Sequence, residues 1–366
     1  MLADIEWGEY KIEEVLEWQS QKEIDPLKLD ELKDETEELY PFYGQSTVNN
    51  GIISYNRLTN MVLNNKDGKP TILIHSNNQN IVYLETPFYL KDGHGATSVL
   101  QSDNLNKINQ MFIIAAIDKV IKEKYSYNNK ATKIELKNTI IKLPIRNGKV
   151  DYKFMENFIA ELEAQYIAEL EEYLSVVGLK DTYLSHQEEE ALRDLDNLNW
   201  GNFNLEVLFG KSTRGKRLKS ADRIPGKLPF VTAGEANEGV SGFIGNQVHI
   251  FSKNTITIDM FGSAKYRNYE YGGDDHIAVV HTEKLPMKAA IFVATAIHKS
   301  SHNGQFDYGR NFYAKDADSL DIMLPTNNGQ PDFEKMELII SAIQKLVIKD
   351  VVFYVDKKFK QQEELL

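Results

Sequence analysis

Three short stretches of this chain carry residue types that could do chemistry. Phe209-Gly210-Lys211-Ser212 has the tail of a phosphate-binding loop, in which glycine amides wrap a phosphate and the lysine neutralises it. The first glycine such a loop needs falls at Leu205, so this stretch could not close around a phosphate. Pro331-Asp332-Phe333-Glu334-Lys335 has the acids and lysine of a nuclease, crowded at the expected start of a helix, where an aspartate serves as a cap. Asp274-Asp275-His276 offers three metal-ligand types in a row, a pattern that reads as a polar turn beside a strand, and no metal is expected. His75, His94, His298 and His302 are read as lacking ligand spacing. A glycine-rich methyl-donor loop is missing, and the absence of cysteine excludes disulfides and thiolate metal sites. The residues therefore point away from catalysis.

The elements behind these stretches are written twice. Trp7-Gly8-Glu9-Tyr10 returns as Trp200-Gly201-Asn202-Phe203. Tyr40-Pro41-Phe42 with Asn49-Asn50-Gly51 returns as Leu228-Pro229-Phe230 with Asn237-Glu238-Gly239. Leu143-Pro144 with Asn147-Gly148 and Met155 returns as Leu324-Pro325 with Asn328-Gly329 and Met336. A repeat this long means two whole domains, not a solenoid. The seams place a first domain at 1–150, a helical spacer and linker at 151–199, a second domain at 200–330 and a second helical spacer at 331–366.

Charge is partitioned along the chain. The formal net charge is −12. Residues 4–38 and 151–199 each carry a net −10, which leaves the remainder strongly positive. The basic excess is densest at Lys211, Arg214, Lys216, Arg217, Lys219, Arg223 and Lys227. Such a cluster has the character of an electrostatic footprint for phosphate. The N-terminus does not read as a signal peptide, and the longest apolar run, Phe112 to Ile117, is too short to span a bilayer. A cytoplasmic protein with no membrane partner is expected.

In each copy, short strands (Thr71–Ile74, Ile81–Leu84; Thr255–Ile258, Ile277–Val280) precede a helix (Gln110–Glu123; Lys288–His298). Each copy then ends in a long amphipathic helix. Met155, Ile159, Leu162, Tyr166 and Leu170 form one stripe, and Met336, Ile340, Ile343 and Val347 form the other. The fold class expected is α+β: two tandem α/β recognition domains, each followed by a long helix, the two helices pairing as an antiparallel coiled coil.

The second copy contains Arg223-Ile224-Pro225-Gly226-Lys227-Leu228-Pro229-Phe230-Val231-Thr232-Ala233-Gly234. It continues with Thr255-Ile256-Thr257-Ile258-Asp259-Met260-Phe261-Gly262 and closes with Phe306-Asp307-Tyr308-Gly309-Arg310 and Leu324-Pro325. This resembles a target recognition domain of a DNA specificity subunit from a restriction-modification system, type I or the two-subunit type IIB group. The link from Tyr173 through Gly178-Leu179-Lys180-Asp181 to Glu188-Glu189-Glu190 resembles that family's spacer. The first copy departs from the pattern, with Ile74-His75-Ser76-Asn77 where Ile258-Asp259-Met260-Phe261 stands in the second.

The resemblance implies a chain without catalytic activity that reads two unlike half-sites of double-stranded DNA. It implies methyltransferase subunits docked on the long helices and restriction subunits beside them, with S-adenosylmethionine, ATP and Mg held by those partners and no cofactor on this chain. Base reading needs side chains able to pair with base edges on rigid elements. In the first copy the candidates are Gln45, Ser46, Asn49, Asn50, His75, Asn77, Asn78, His94, Tyr127 and Lys133. In the second they are Lys216, Arg217, Asn237, Lys265, Tyr266, Arg267, Tyr269, His276, Tyr308 and Arg310. Two readings compete: a nuclease or transferase acting alone, which would show activity as the purified chain, and a protein-binding adaptor, which would show no salt-dependent DNA binding.

Overall fold

The computed structural model describes every residue except 1, 3, 4, 127 and 364–366, and leaves the side chains at 362 and 363 undescribed. Two compact units divide the chain, Met1–Glu169 and Leu170–Leu366.

In the first unit, a three-stranded antiparallel sheet pairs Trp7–Lys11 with Ile140–Arg146 and then with Lys149–Val150. A four-stranded sheet has the order Glu17–Trp18, Thr97–Gln101, Thr71–His75, Ile81–Leu84. Another has the order Glu23–Ile24, Tyr89–Lys91, Tyr40–Tyr43, Ile52–Asn56. Thr71–His75 is buried at all five positions, which suits a central strand. Helix α1 (Asn109–Lys124) lays Ile113, Ile117 and Ile121 on a core shared with Ile72, Ile74, Leu100 and Leu143. The second unit repeats the plan except at one edge, where Ile250–Phe251, later in the chain and antiparallel to its neighbour, takes the place that Glu23–Ile24, earlier and parallel, holds in the first. Its sheets run Trp200–Asn204, Asp321–Asn327, Gln330–Pro331; then Thr213–Arg214, Ile277–Val280, Thr255–Asp259, Ala264–Arg267; then Ile250–Phe251, Tyr271–Gly273, Pro225–Val231, Val240–Ile244.

Two local signatures show how closely the copies agree. Trp7 stacks on Phe112 with ring centroids 6.2 Å apart, and Trp200 stacks on Phe292 at 6.4 Å. The hairpins at Asn147-Gly148 and Asn328-Gly329 hold all four residues at positive φ, between 50° and 76°. That geometry matches the twist of the flanking strands, and Asn-Gly adopts it at least cost.

The long helices are α2 (Tyr152–Val176) and, after α3 (His186–Arg193) and α4 (Met287–Ser301), α5 (Phe333–Glu363). Asp151 caps α2 by accepting from the Phe154 amide at 2.9 Å, and Asp332 caps α5 by accepting from Lys335 at 2.9 Å. The acid of the nuclease-like stretch is thus occupied at a helix start. Gly178, at φ 70°, ends the α2 segment, and the Leu179 amide returns to the Leu174 carbonyl at 2.9 Å. Within the second unit, Lys180 pairs with Glu171 near the end of α2 and with Asp356 of α5.

The buried face of α5 differs from the expected stripe. Met336, Ile339, Ala342, Val352 and Val355 are buried, whereas Ile340 is half-buried and Ile343 and Val347 are exposed, Val347 by 75%. The phase is set by α4 and α3, which pack along α5 and take the Met336–Ile339–Ala342 side. Lys345, which bridges Asp181 at 2.8 Å and Glu188 at 3.1 Å, pins α3 there. Burial pushes the Glu188 carboxyl up, but bonds from Ser341, the Ser185 amide and Lys345 outweigh it and hold the group at about 2. On α2, Met155 and Leu174 are buried and Ile159, Leu162 and Leu170 half-buried, but Tyr166 is exposed while its neighbour Ile167 is buried.

Candidate nucleic-acid interface

In the first unit, the turns between strands gather amides at one place. Asn77 Nδ2 donates to Gln45 Oε1, Asn78 Nδ2 donates to the Gln45 carbonyl at 3.3 Å, and Asn80 Nδ2 donates to the Ser46 carbonyl at 3.1 Å. With Gly44, Ile53, Lys91, Asp92 and Gly93, three of these residues, Gln45, Ser46 and Asn77, line a polar cavity of about 360 Å³. Asn49 and Asn50 are exposed beside it in a tight turn with φ 51° and 50°. Asparagine tolerates that left-handed backbone better than other residues with a Cβ. His94 is fully in solvent, its amide held by Asp92 at 2.8 Å. Lys133 opens a short helix capped by Thr132, and Ala131 just before it donates to the Ser76 carbonyl at 3.2 Å. Tyr127 lies outside the described residues.

In the second unit, the basic stretch is bound to the sheet. The Lys216 amide donates to the Gly273 carbonyl at 2.9 Å, and the Leu218 amide donates to Asp274 Oδ1 at 3.2 Å. A Cβ on Gly215 would lie 2.0 Å from the Gly273 carbonyl oxygen, so only glycine permits this approach. Lys211, Arg214, Lys216, Arg217 and Lys219 remain exposed. Arg223 is used internally, over the Phe230 ring at 4.9 Å and against the Leu218 carbonyl. Among the described residues, Asp274, Asp275 and His276 form the one group of three that could hold a metal. Its acids are engaged by the basic loop, since Asp275 faces Arg217 at 3.6 Å and Arg214 at 3.9 Å.

The structure corrects several candidate base contacts. His75 is completely buried, with Nδ1 on the Thr97 hydroxyl at 2.9 Å, and burial lowers its pKa to about 4. Its strand is central, so the side chain projects into the core beneath Gly51, not toward a groove. Arg267 is also buried, at 1% exposure. It donates to the Glu238 carbonyl, to Thr257 and to Tyr269, and so props the Asn237–Gly239 turn from below. Tyr266 donates to Asn254 at 2.9 Å, and Asn254 in turn ties down the Thr282–Leu285 loop. Lys265 is mostly covered, between Glu235 and Ser263.

Asn237 is exposed, and Tyr269 and His276 are half-buried. Tyr308 is 85% exposed with its ring edge-on to Phe261. Arg310 is exposed but clamped by Asp316. His298 and His302 stand four residues apart at the end of α4 with ring centroids 4.7 Å apart, so this pair does have helical spacing. One ring accepts from the Ala264 amide and the other donates to the Phe261 carbonyl. Residues that sequence reasoning missed include Lys91, Asp92, Gly93 and Asn80. The Asp92-Gly93-His94-Gly95 turn was the signal available for Asp92 and Gly93.

One fold presented twice, with an amide surface in one copy and a basic surface in the other, fits a reader of two unlike elements. Residues 4–172, and again 197–352, match the model of the type I restriction modification DNA specificity domain. The chain belongs to that family. It is 25% identical over 252 residues to the type II restriction enzyme BgcI specificity subunit S.BcgI of Heyndrickxia coagulans, across 67% of this chain and 69% of that one. It is similar in fold to the S subunit of a type I restriction-modification system from M. genitalium, with a TM-score of 0.61 and 14% identity over 99% of this chain and 94% of the other. Family membership accounts for the tandem arrangement: each specificity domain comprises one set of three sheets and a long helix that starts at an aspartate cap.

Proposed function

We propose that this chain is the DNA-recognition subunit of a restriction-modification enzyme. It reads a bipartite, asymmetric site, one half with each unit, and directs partner methyltransferase and restriction subunits to it. The observation that carries the reading is the pairing of two matching scaffolds with recognition faces of different chemistry: Gln45, Ser46, Asn49 and Asn50 in one, Lys216 and Arg217 in the other. Amides pair with adenine edges and arginine with guanine, while lysine and arginine also hold phosphates.

The partners dock on apolar surface left open in each unit. In the first unit, Trp7, Phe112, Ile140, Phe158, Ile159 and Leu162 line a groove of about 1020 Å³. In the second, Ile343, Val347 and Val351 stand exposed on α5. S-adenosylmethionine, ATP and Mg act on those partners, and this chain contributes no catalytic group. No helix among the described residues is long and apolar enough to cross a membrane. A second arrangement is favoured by the similarity to a type II specificity subunit, namely a single partner polypeptide that both methylates and cuts.

The test selects duplexes from a random pool with the purified full-length chain, alone and with its partners. A split consensus of two unlike halves is expected, together with no methylation or cleavage when the chain alone meets DNA, magnesium and methyl donor. Absence of any consensus, or catalysis by the chain alone, overturns the reading.

A further inference from the structure

The amide cluster of the first unit has a polarity. Asn77 Nδ2 donates to Gln45 Oε1, which turns that oxygen inward and leaves Nε2 on the opposite side of the amide. Among the described residues Nε2 has no acceptor, and Gln45 is half-exposed at the edge of the polar cavity. The backbone beneath it is fixed by Asn78 on the Gln45 carbonyl and Asn80 on the Ser46 carbonyl. Opposite, Gly93 makes the room: a Cβ there would come 2.7 Å from Gln45 Nε2. Asn77 and Gly93 therefore orient the Gln45 side chain, while Asn78 and Asn80 hold the backbone at Gln45 and Ser46.

We infer that Gln45 is the residue that reads an adenine in the half-site of the first unit, with Asn77 as its positioning residue. The inference rests on the DNA-recognition reading above. A glutamine amide meets the major-groove edge of adenine twice, Nε2–H donating to N7 and Oε1 accepting from the N6 amino group. Oε1 has two lone pairs, and Asn77 uses one. Guanine offers two acceptors, so one of them would face Oε1 without a proton between; thymine offers one acceptor and cytosine one donor, so each makes a single bond at most. Fixing the side chain before binding removes the rotamer entropy that a free glutamine would lose.

The arrangement belongs to one unit alone. The Gly44 amide bonds to the Gly51 carbonyl as the Thr232 amide bonds to the Gly239 carbonyl. That register puts Ala233 at the Gln45 position, and the matched strands Thr71–His75 and Thr255–Asp259 put Phe261 at the Asn77 position. The second unit has no amide pair there, and the adenine contact is confined to one half of the site.

The experiment compares consensus sites selected from random duplexes by the full-length wild-type chain and by variants. Gln45→Ala should lower adenine preference at one position of one half-site on the order of tenfold or more, leaving the other half unchanged. Gln45→Glu should move that position toward cytosine, whose amino group a carboxylate accepts. Asn77→Ala should keep adenine as the preferred base but weaken the preference several-fold. A Gln45→Ala chain that selects the wild-type consensus in full overturns the inference and leaves DNA reading intact. A wild-type chain that selects no consensus overturns the DNA reading itself.

Discussion

The two units share all but one edge strand, the aromatic stack and the closing hairpin, yet they hold the matching turns Asn49–Gly51 and Asn237–Gly239 over different chemistry. Beneath Gly51 in the first unit lies His75, buried and kept neutral. Beneath Gly239 in the second lies the guanidinium of Arg267, equally buried but charged, with three hydrogen bonds into the turn and sheet. Asn49 and Asn50 are exposed on the first turn and Asn237 and Glu238 on the second, while the exposed lysines and arginines of the second unit lie on a separate loop tied to Gly273 and Asp274. The scaffold thus stays constant while the group under the turn changes from a neutral imidazole to a guanidinium. A buried charge is tolerated when it is hydrogen-bonded and paired, and Arg267 has three hydrogen bonds and the Glu238 carboxylate 4.0 Å away.

The comparison breaks most severely at Gly215. Gly215→Val would drive a side chain into the Gly273 backbone, and unit two should lose about 3 kcal/mol or more while unit one keeps its stability. Hydrogen exchange resolved by peptide distinguishes the two, and equal protection in both units would refute the pinned loop.

Next in size is the pH response of His75. Its folded pKa of about 4 lies below the usual 6.5, so the unfolded chain binds the proton more readily. The contribution to stability is present above pH 6.5 and is lost as pH falls toward 4, a loss of about 3 kcal/mol in all. His75→Asn should remove that part of the pH dependence. Urea unfolding of both proteins at pH 7.5, 5.5 and 4.5 checks it, and parallel curves would mean that His75 does not titrate between the two states.

Lys216→Ala with Arg217→Ala should weaken binding to every duplex and reduce the slope of log affinity against log salt by about two units. An unchanged slope would place this loop away from phosphate. The smallest effect belongs to the first unit's turn. Asn49→Gly with Asn50→Gly keeps the left-handed backbone while removing both amides. It should alter base preference in one half-site and leave the salt slope as it was; a fall in slope would make these residues phosphate contacts.

Much of this architecture was legible in the residues. The repeat gave the two units, and the run Thr71-Ile72-Leu73-Ile74 gave a strand, which the structure buries within its sheet. Helix α1, read as Gln110 to Glu123, runs Asn109–Lys124. The strand Pro225–Val231 was hidden, because prolines and glycine are poor strand formers and its pairing carries an irregularity between Pro225 and Leu228. The direction of side chains was less accessible. His75, Tyr266 and Arg267 have the chemistry of base readers, and only the strand's position in its sheet decides whether such a group faces a groove or the core. The stripe on α5 is covered only in part, at Met336 and Ile340, for a related reason. An apolar-rich helix offers more than one plausible face, and which is covered depends on α3 and α4 arriving from elsewhere in the chain.

The two Asn-Gly hairpins have a consequence in the history of the gene. Each sits just ahead of a long helix, with the same dihedral pattern and the same Leu-Pro approach. Joining the strand before one hairpin to the helix after another leaves the turn intact. Recombination at those points therefore delivers a complete recognition unit to a new spacer, and a lineage can acquire a new target without rebuilding either fold.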